Sequence, residues 1–434
     1  MRRLSVALAV LLALALLTAS CGGSNQAAPP AKDTGKTWTG TIEWWTFGYT
    51  PGGTTPANKM HDEAVAAFEK ANPGVKIKTT GIPWQGGVQK LDTALAQGQG
   101  PDIFGIASAQ LAKYIKQGLL APIDDYLTPE DKADIYPNIL EGVKGPDGKY
   151  YAWPLWTPPA GIYINKDILA ERNAKMPSED WTYEDFVALA KQLTFTRANG
   201  DKVYGYSGVI DTSTVNTWSF IYADGGKVLS DDFKTYTFNS PQAISGLKKL
   251  ADLNLVYHVT PPDFGSQKST DIVTAFKDRK TLAMYTAPSG DATTYTAAGL
   301  NFDVVPVPIG KAGKHITVGG LGVMVVTKNK DSGKLATVMK LARYLTGSQI
   351  EQDIPGWYLA PAARKSVKIK NNPLMSKFEK MVGYTHLMPN IPPWSEIHAK
   401  INPLIQLAVL GKKTPEEALN APAAEINELL KNNK

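Results

Sequence analysis

Short apolar runs alternate with amphipathic segments along the first quarter of the chain. Residues 41–47, 75–79 and 101–106 have the composition and alternation of β-strands. Between them, apolar residues recur at helical spacing over residues 60–68 and 88–97. Because strands that alternate with helices form βαβ units, this pattern predicts a mostly parallel sheet covered by helices.

A second region of alternating strands and helices begins near Trp156. Thr182 is the predicted N-cap of a helix, and Asp185 follows three residues later in the position of a capping box. Residues 302–307 are a predicted strand, and residues 375–430 are almost entirely helical in pattern. The chain is therefore predicted to be an α/β protein, and its 434 residues favour two or more domains.

The N-terminus has the pattern of a signal peptide. Arg2 and Arg3 precede an apolar run over residues 4–17, which is too short for a full membrane span. The run ends in the sequence TASC, in which Cys21 is the single cysteine of the chain. This segment resembles a bacterial lipobox, whose cysteine becomes lipidated; the alternative is an ordinary signal peptide with a cysteine nearby by chance. We expect a lipoprotein signal peptide over residues 1–20 and a flexible tether over residues 21–37, lipidated at Cys21.

Composition and charge argue against several classes of function. The chain has 46 Lys and Arg residues against 40 Asp and Glu residues, and the net charge of +6 is dispersed, so nucleic acid is not an expected partner. One cysteine and five scattered histidines form no metal motif, and no cofactor is expected. The sequence has no GxSxG, Walker or GxGxxG motif, so nothing in it predicts an enzyme.

Aromatic residues in polar, loop-like stretches are the positive signal. Tryptophans in such stretches are Trp44, Trp45, Trp84, Trp153, Trp156, Trp218, Trp357 and Trp394. Aromatic rings pack against the apolar C–H faces of sugars, while nearby amides and hydroxyls bind the sugar hydroxyl groups. Each tryptophan alone is more often part of a core, so only those in loops after predicted strands are candidate ligand contacts.

Several short motifs occur in a characteristic order along the chain. They are QGPDIF at 99–104, GLLAPI at 118–123, INKDIL at 164–169, YADGG at 222–226, VGG at 318–320, MPNIP at 388–392 and GKKTPEEAL at 411–419. This order resembles that of the extracellular solute-binding proteins of bacterial ABC importers, in particular the maltose-binding-protein-like group. The resemblance covers essentially the whole chain after the N-terminal segment.

The resemblance implies an α/β, two-lobed periplasmic-binding-protein fold of type II, with a ligand cleft between the lobes. Lobe 1 is expected over residues 38–153 plus 290–348, and lobe 2 over residues 154–289 plus 349–434. The chain is expected to cross between lobes near residues 152–156, 287–292 and 346–356. The resemblance also implies a lipid-anchored monomer on the extracytoplasmic face of the cell membrane, which binds a small-molecule carbohydrate and delivers it to the transmembrane subunits of an ABC permease.

The resemblance places ligand contacts in loops at the ends of strands. The expected binding residues are Thr46, Phe47, Tyr49, Trp84, Gln85, Ser108, Gln110, Trp156, Thr157, Trp218, Ser289, Gly319, Gly320, Trp357 and Arg364. Maltose binders carry an Asp-Lys pair in the loop that here holds Thr46 and Tyr49, and an Asp-Arg pair in the loop of Ser108 and Gln110. These departures argue against maltose itself and leave another carbohydrate as the expected ligand.

Two alternatives stay open at this point. The same fold could bind another solute, such as a glycerol phosphate ester paired with Arg364, or a polyamine. A secreted carbohydrate-active enzyme is the alternative from a different class, and two carboxylates about 5–10 Å apart across the cleft would support it.

Overall fold

Two five-stranded sheets and a pair of short strands carry the fold in the computed structural model, which describes residues 38–83, 86–211, 214–358, 360–369 and 372–432. The predicted signal peptide, the tether and Cys21 lie outside the described residues. The strands are β1 Gly40–Phe47, β2 Val75–Ile82, β3 Ile103–Ala107, β4 Trp153–Trp156, β5 Ala160–Asn165, β6 Phe195–Thr196, β7 Lys202–Gly208, β8 Leu282–Pro288, β9 Phe302–Val305, β10 Thr317–Gly319, β11 Gly322–Val326 and β12 Thr385–Leu387.

Helices cover both sheets and form most of the C-terminal region. They are α1 Pro56–Ala71, α2 Gly87–Ala96, α3 Leu111–Lys116, α4 Pro129–Asp134, α5 Pro137–Glu141, α6 Lys166–Glu171, α7 Tyr183–Gln192, α8 Ser219–Ala223, α9 Pro241–Leu255, α10 Ser269–Val273, α11 Asp291–Ala297, α12 Ser332–Leu345, α13 Ser348–Asp353, α14 Pro373–Val382, α15 Trp394–Val409, α16 Pro415–Asn420 and α17 Ala423–Asn432. Among the described residues, no helix is both long and apolar enough to cross a membrane.

The first sheet has the strand order β2-β1-β3-β11-β4. Strand β1 runs parallel to β2 and β3, as the βαβ pattern predicts, whereas β11 is antiparallel to β3 and β4. Ile42 and Trp44 on β1 are buried on the face that carries α1, where Ala64 and Phe68 meet them in one core. The carboxyl ends of β1, β2 and β3 therefore lie along one edge of this sheet, because parallel strands end together.

The second sheet has the order β6-β7-β8-β5-β9. All six residues of its strand β5 are buried, since β5 lies between β8 and β9 and is covered on both faces. Helix α7 of this lobe starts as predicted: Thr182 Oγ1 accepts from the Asp185 amide at 3.2 Å, and Asp185 Oδ2 accepts from the Thr182 amide at 2.9 Å. The predicted strand at residues 302–307 is confirmed as β9.

The two sheets define two lobes, and the chain crosses between them three times. The first crossing is residues 157–159, directly after the predicted segment, because β4 still belongs to the first sheet. The second lies at Gly320 and Leu321 rather than near residues 287–292, because β9 pairs with β5 and keeps residues 290–318 in the second lobe.

The third crossing lies between Val367 and Met375 rather than near residues 346–356. Helix α13 and Tyr358 remain in the core of the first lobe, as does Val367, whereas Met375 packs in a core of the second lobe. The apolar residues of α13 need a partner surface, and α12 of the first lobe supplies it. The first lobe thus holds residues 38–156 and 322–367, and the second holds residues 160–319 and most of 375–432 among those described. Val382, at the end of α14, packs in the first-lobe core.

A buried histidine in the first lobe is stacked between two aromatic rings. The His61 ring lies 4.0 Å from the Trp44 ring and 4.1 Å from the Tyr49 ring, with both pairs close to parallel. Burial lowers the pKa of His61 to about 4, because a charged imidazole would lose its hydration there.

We expect His61 to make the first lobe sensitive to acid. Below pH 6.5 the unfolded chain binds a proton that the native His61 rejects, so the free energy of unfolding falls between pH 6.5 and about 4. The variant His61→Phe retains a stacked ring but has no titratable group there. Its free energy of unfolding should fall less than that of the wild type, by about 2 kcal/mol, when the pH is lowered from 6.5 to 4.5. Urea unfolding at the two pH values measures this, and equal losses in both proteins would contradict it.

Candidate functional site

Two crossing segments run side by side between the lobes. The Thr157 hydroxyl donates to the Gly320 carbonyl at 2.6 Å, and Pro159 pairs with Gly319 in an antiparallel bridge. The Thr157 amide donates to the Pro361 carbonyl at 2.9 Å, which ties the same segment to the first lobe. Backbone and hydroxyl groups of both crossings are therefore paired with one another.

Close packing at this junction requires a glycine at two positions. A Cβ on Gly319 would lie 2.7 Å from Thr385 Cγ2, and a Cβ on Gly322 would lie 2.5 Å from the Trp156 ring. Both distances are shorter than van der Waals contact, so a larger residue would force the crossings apart.

A cavity of about 560 Å³ opens above these crossings and is lined by both lobes. From the first lobe it is lined by Ala107, Ser108 and Ala109, at the carboxyl end of β3. From the crossings it is lined by Pro158, Gly319, Gly320 and Leu321. From the second lobe its polar lining is Thr214, Asn216, Ser269, Tyr285, Thr286, Asp291, Ser395 and His398. The cavity thus lies where strand ends of both sheets face each other, which is where open α/β sheets bind ligands.

Trp394 and His398 form an aromatic wall of the cavity. They lie one turn apart on α15, and their rings are stacked with centroids 6.0 Å apart and an interplanar angle of 15°. Trp218 packs edge-on behind His398 at 5.3 Å. A flat wall of this kind offers an apolar face to a ligand.

A hydrogen-bonded chain holds this wall in place. Trp218 Nε1 donates to Asn402 Oδ1 at 2.9 Å, and Asn402 Nδ2 donates to His398 Nε2 at 2.7 Å. Burial lowers the pKa of His398, so the ring is neutral near pH 7 and Nε2 serves as an acceptor. The orientation of the His398 ring is therefore set by Asn402, which does not line the cavity.

The opposite side of the cavity is polar. The Tyr285 hydroxyl donates to Asp291 Oδ2 at 2.6 Å and also contacts the Tyr295 hydroxyl. Burial raises the pKa of Asp291 above its usual value. Beside them, the buried Ser289 Oγ has no hydrogen-bond partner within the described part of the chain.

A direct hydrogen bond joins the loop before α15 to the first lobe, in addition to those that Asn138 Nδ2 donates to the Val382 and Thr385 carbonyls. The Ala112 amide, at the start of α3, donates to Asn390 Oδ1 at 2.8 Å. Asn390 belongs to the loop between β12 and α15, two residues after Met388, which lines the cavity. This contact, called the rim clasp below, joins residues 278 positions apart in sequence.

The structure brings five of the predicted binding residues together at the cavity. Ser108, Gly319 and Gly320 line it directly. Thr157 lies beneath Gly320, and the Ser289 amide donates to the Pro159 carbonyl at 3.1 Å, so both belong to its floor.

Three further predicted residues lie next to the cavity without being part of its lining. Trp156 ends β4 and packs on Gly322. Gln110 ends the 3₁₀ turn that begins at Ser108, and Trp218 lies fully buried behind His398.

The predicted residues of the first loop lie on the first lobe, beyond the cavity lining. Thr46 and Phe47 end β1, and the Tyr49 hydroxyl donates to Asp62 at 2.5 Å. Trp84 and Gln85, predicted for the second loop, lie outside the described residues.

Trp357 and Arg364 lie in the first lobe, away from the cavity lining. Trp357 Nε1 donates to the Leu345 carbonyl at 3.0 Å. The Arg364 guanidinium is buried and forms ion pairs with Asp131 at 2.9 Å and Asp134 at 3.4 Å. Both side chains thus have structural partners here, and Arg364 is not in a position to pair with a ligand in this cavity.

Trp394 and His398 were not among the residues predicted to bind ligand. Their i, i+4 spacing on a helix, which puts two side chains on one face, is the signal that could have found them. Within the described residues there is no group of three or more His, Cys, Asp or Glu that could hold a metal ion.

The two lobes and the cavity between them define a two-lobed solute-binding protein. Residues 52–352 match the family described as bacterial extracellular solute-binding protein, and the chain belongs to this family of extracytoplasmic binding proteins.

Curated relatives and solved structures are similar over most of the chain. The maltotriose-binding protein of Pyrococcus abyssi is 25% identical over 76% of this chain and 72% of its own length. The galactooligosaccharide-binding protein of Bacillus subtilis is 23% identical over 83% of this chain and 84% of its own. An ABC substrate-binding protein from Listeria monocytogenes, solved in complex with cycloalternan, superposes with a TM-score of 0.70 at 23% identity, covering 90% of this chain and 99% of that one. This structural similarity shows the two-lobed fold.

Proposed function

We propose that this protein is the substrate-binding lipoprotein of an ABC importer, which captures a sugar or oligosaccharide in the interlobe cavity and delivers it to the permease. The observation that carries the proposal is the pairing of an aromatic wall, Trp394 and His398, with a polar wall in one cavity between two lobes. The names of the relatives from Pyrococcus abyssi and Bacillus subtilis, which bind oligosaccharides, support the same class of ligand.

The chemistry of the lining suits a neutral, hydroxylated ligand. Trp394 is 4% exposed and also packs in the second-lobe core, so it offers only the ring atoms that line the cavity, together with those of the half-buried His398, to the C–H face of a sugar ring. Ser108, Asn216 and Ser269 offer groups that both donate and accept hydrogen bonds. The volume of about 560 Å³ lies within the usual range for small-molecule sites.

Other ligand classes are less well matched. None of the described residues that line the cavity is Lys or Arg, so a phosphate ester would lack a cationic partner there. Asp291 is the one carboxylate in this described lining, so the pair that a glycosidase needs is not formed by these residues.

Closure of the lobes follows from where the lining residues lie. Ser108 belongs to the first lobe and Trp394 to the second, so a ligand that contacts both lobes stabilises the arrangement in which they are close. The crossings, which are paired through Thr157 and Gly320, would act as the hinge.

Titration against a sugar panel tests the proposal. Isothermal titration calorimetry with monosaccharides, maltooligosaccharides and galactooligosaccharides should give saturable binding of at least one sugar, with a change in tryptophan fluorescence because Trp394 lines the cavity. No heat and no fluorescence change across the whole panel would contradict a sugar ligand.

A matched pair of tryptophan variants tests where the sugar binds. Trp394→Ala should weaken binding of the sugar found in the panel at least about tenfold, because the stacking surface is removed. Trp357→Ala, at a partly buried residue packed against the first-lobe core, should leave affinity nearly unchanged. Thermal unfolding must show that both variants are folded, because Trp394 itself packs in the second-lobe core. Strong loss of affinity in Trp357→Ala with little loss in Trp394→Ala would instead favour the site predicted from sequence.

Attachment to the membrane is expected to depend on Cys21. We expect the wild-type chain to fractionate with bacterial membranes and Cys21→Ser to be released, because an acyl chain can no longer be attached. Immunoblotting of membrane and soluble fractions measures this, with Ser24→Ala in the tether as the control variant. A wild-type chain found only in the soluble fraction would rule out the anchor.

A further inference from the structure

A buried chain of hydroxyl groups ends on the Asp291 carboxylate. The Tyr285 hydroxyl donates to Asp291 Oδ2 at 2.6 Å, and the Tyr295 hydroxyl contacts the Tyr285 oxygen. The Tyr285 hydroxyl has one proton, which it donates to Asp291. In its contact with Tyr295, the Tyr285 oxygen is therefore the acceptor and the Tyr295 hydroxyl is the donor. Both tyrosine protons are therefore directed toward the carboxylate.

Buried aromatic packing on the side away from the cavity holds these two tyrosines in place. Tyr163 on β5 packs edge-on against Tyr295 at 5.7 Å, and its hydroxyl donates to the Pro288 carbonyl at 2.7 Å. Tyr285 and Tyr295 are 2% and 1% exposed, so neither ring can turn away without opening the core. Asp291 is thereby fixed at the cavity wall, which it lines together with Tyr285.

Acceptor capacity at Asp291 exceeds what the network uses. An ionised carboxylate offers about four lone-pair sites, and the Tyr285 and Tyr295 hydroxyls occupy at most two of them. The remaining capacity is available to a ligand that lies in the cavity. Two residues earlier in the sequence, the buried Ser289 Oγ also has no hydrogen-bond partner among the described residues.

The charge of the described lining is negative. Asp291 is its one acidic residue, no Lys or Arg belongs to it, and His398 is neutral near pH 7. An uncompensated carboxylate in a partly desolvated cavity repels anions and favours hydrogen-bond donors.

We propose that Asp291 determines the specificity of the cavity: its carboxylate accepts hydrogen bonds from the hydroxyl groups of a neutral sugar and rejects anionic solutes, with Tyr285 as its positioning residue. This inference rests on the proposed function, because it assigns a role within the same sugar site. It names the first residue of α11, three positions after the end of β8, in a stretch for which the sequence predicted only Ser289.

Calorimetry on two matched variants tests the role of Asp291. The probes are the panel sugar that binds the wild type best, glycerol 3-phosphate and spermidine, at pH 7.5. In Asp291→Asn the Kd for the sugar should rise ~10- to 100-fold, because a hydrogen bond to a charged acceptor is lost. Asp232→Asn, which makes the same change in an exposed loop of the second lobe, should leave the Kd unchanged. Thermal unfolding checks that both variants are folded.

The pH profile separates the positioning role of Tyr285 from a structural one. The titratable groups that act on the Asp291 carboxyl are the Tyr285 and Tyr295 hydroxyls, with Tyr163 behind them and His398 elsewhere on the wall. Wild-type affinity should fall as Asp291 becomes protonated at acidic pH. Since the Tyr285 hydroxyl lowers the pKa of Asp291, Tyr285→Phe should move this fall to higher pH. If Asp291→Asn does not fold, this second variant still decides the question.

The outcomes distinguish the inference from the function on which it rests. Sugar binding that Asp291→Asn weakens less than twofold, or a Tyr285→Phe profile that is lowered equally at every pH, overturns the role of Asp291 and leaves the proposed function intact. Binding of glycerol 3-phosphate by the wild type overturns the rejection of anions. Binding of spermidine and of no sugar overturns both the inference and the proposed function.

Discussion

The hydrogen bond from the Thr157 hydroxyl to the Gly320 carbonyl joins two chain crossings that run in opposite directions between the lobes. Because these crossings are paired, neither lobe can shift along the junction without breaking backbone contacts. Gly319 and Gly322 permit the approach, since a Cβ at either position would meet Thr385 or Trp156 at less than 3 Å. The position of the cavity floor, and with it the distance between the two walls, depends on this junction.

Each lobe contributes differently to the cavity. The first lobe supplies only a short stretch around Ser108, whereas the second supplies both the aromatic wall on α15 and the polar wall after β8. Both second-lobe walls are held by buried hydrogen bonds, through Asn402 on one side and Tyr285 on the other. The second lobe is therefore a preformed surface, to which the first lobe adds the stretch around Ser108.

Local patterns predicted local structure well. The capping box at Thr182, the early parallel strands and β9 all follow from residue spacing. The positions of the chain crossings were harder to predict from the sequence. The pairing of β9 with β5 joins segments about 140 residues apart and leaves no periodic signal. The place of Ser108 at the cavity could be predicted because this residue follows a strand that the sequence indicates. The place of Arg364 could not be predicted in this way, because its partner Asp131 is 233 positions away in sequence. Long-range ion pairing of this kind cannot be read from neighbouring residues.

The rim clasp between Ala112 and Asn390 links contact between the lobes to the position of the cavity wall. Asn390 shares a short loop with Met388, and that loop leads directly into Trp394, so the clasp and the cavity wall move as one piece. Any parting of the lobes at this rim must first break the hydrogen bond from the Ala112 amide to Asn390 Oδ1. The clasp therefore adds to the free-energy cost of opening, and this contribution is the same whichever ligand fills the cavity.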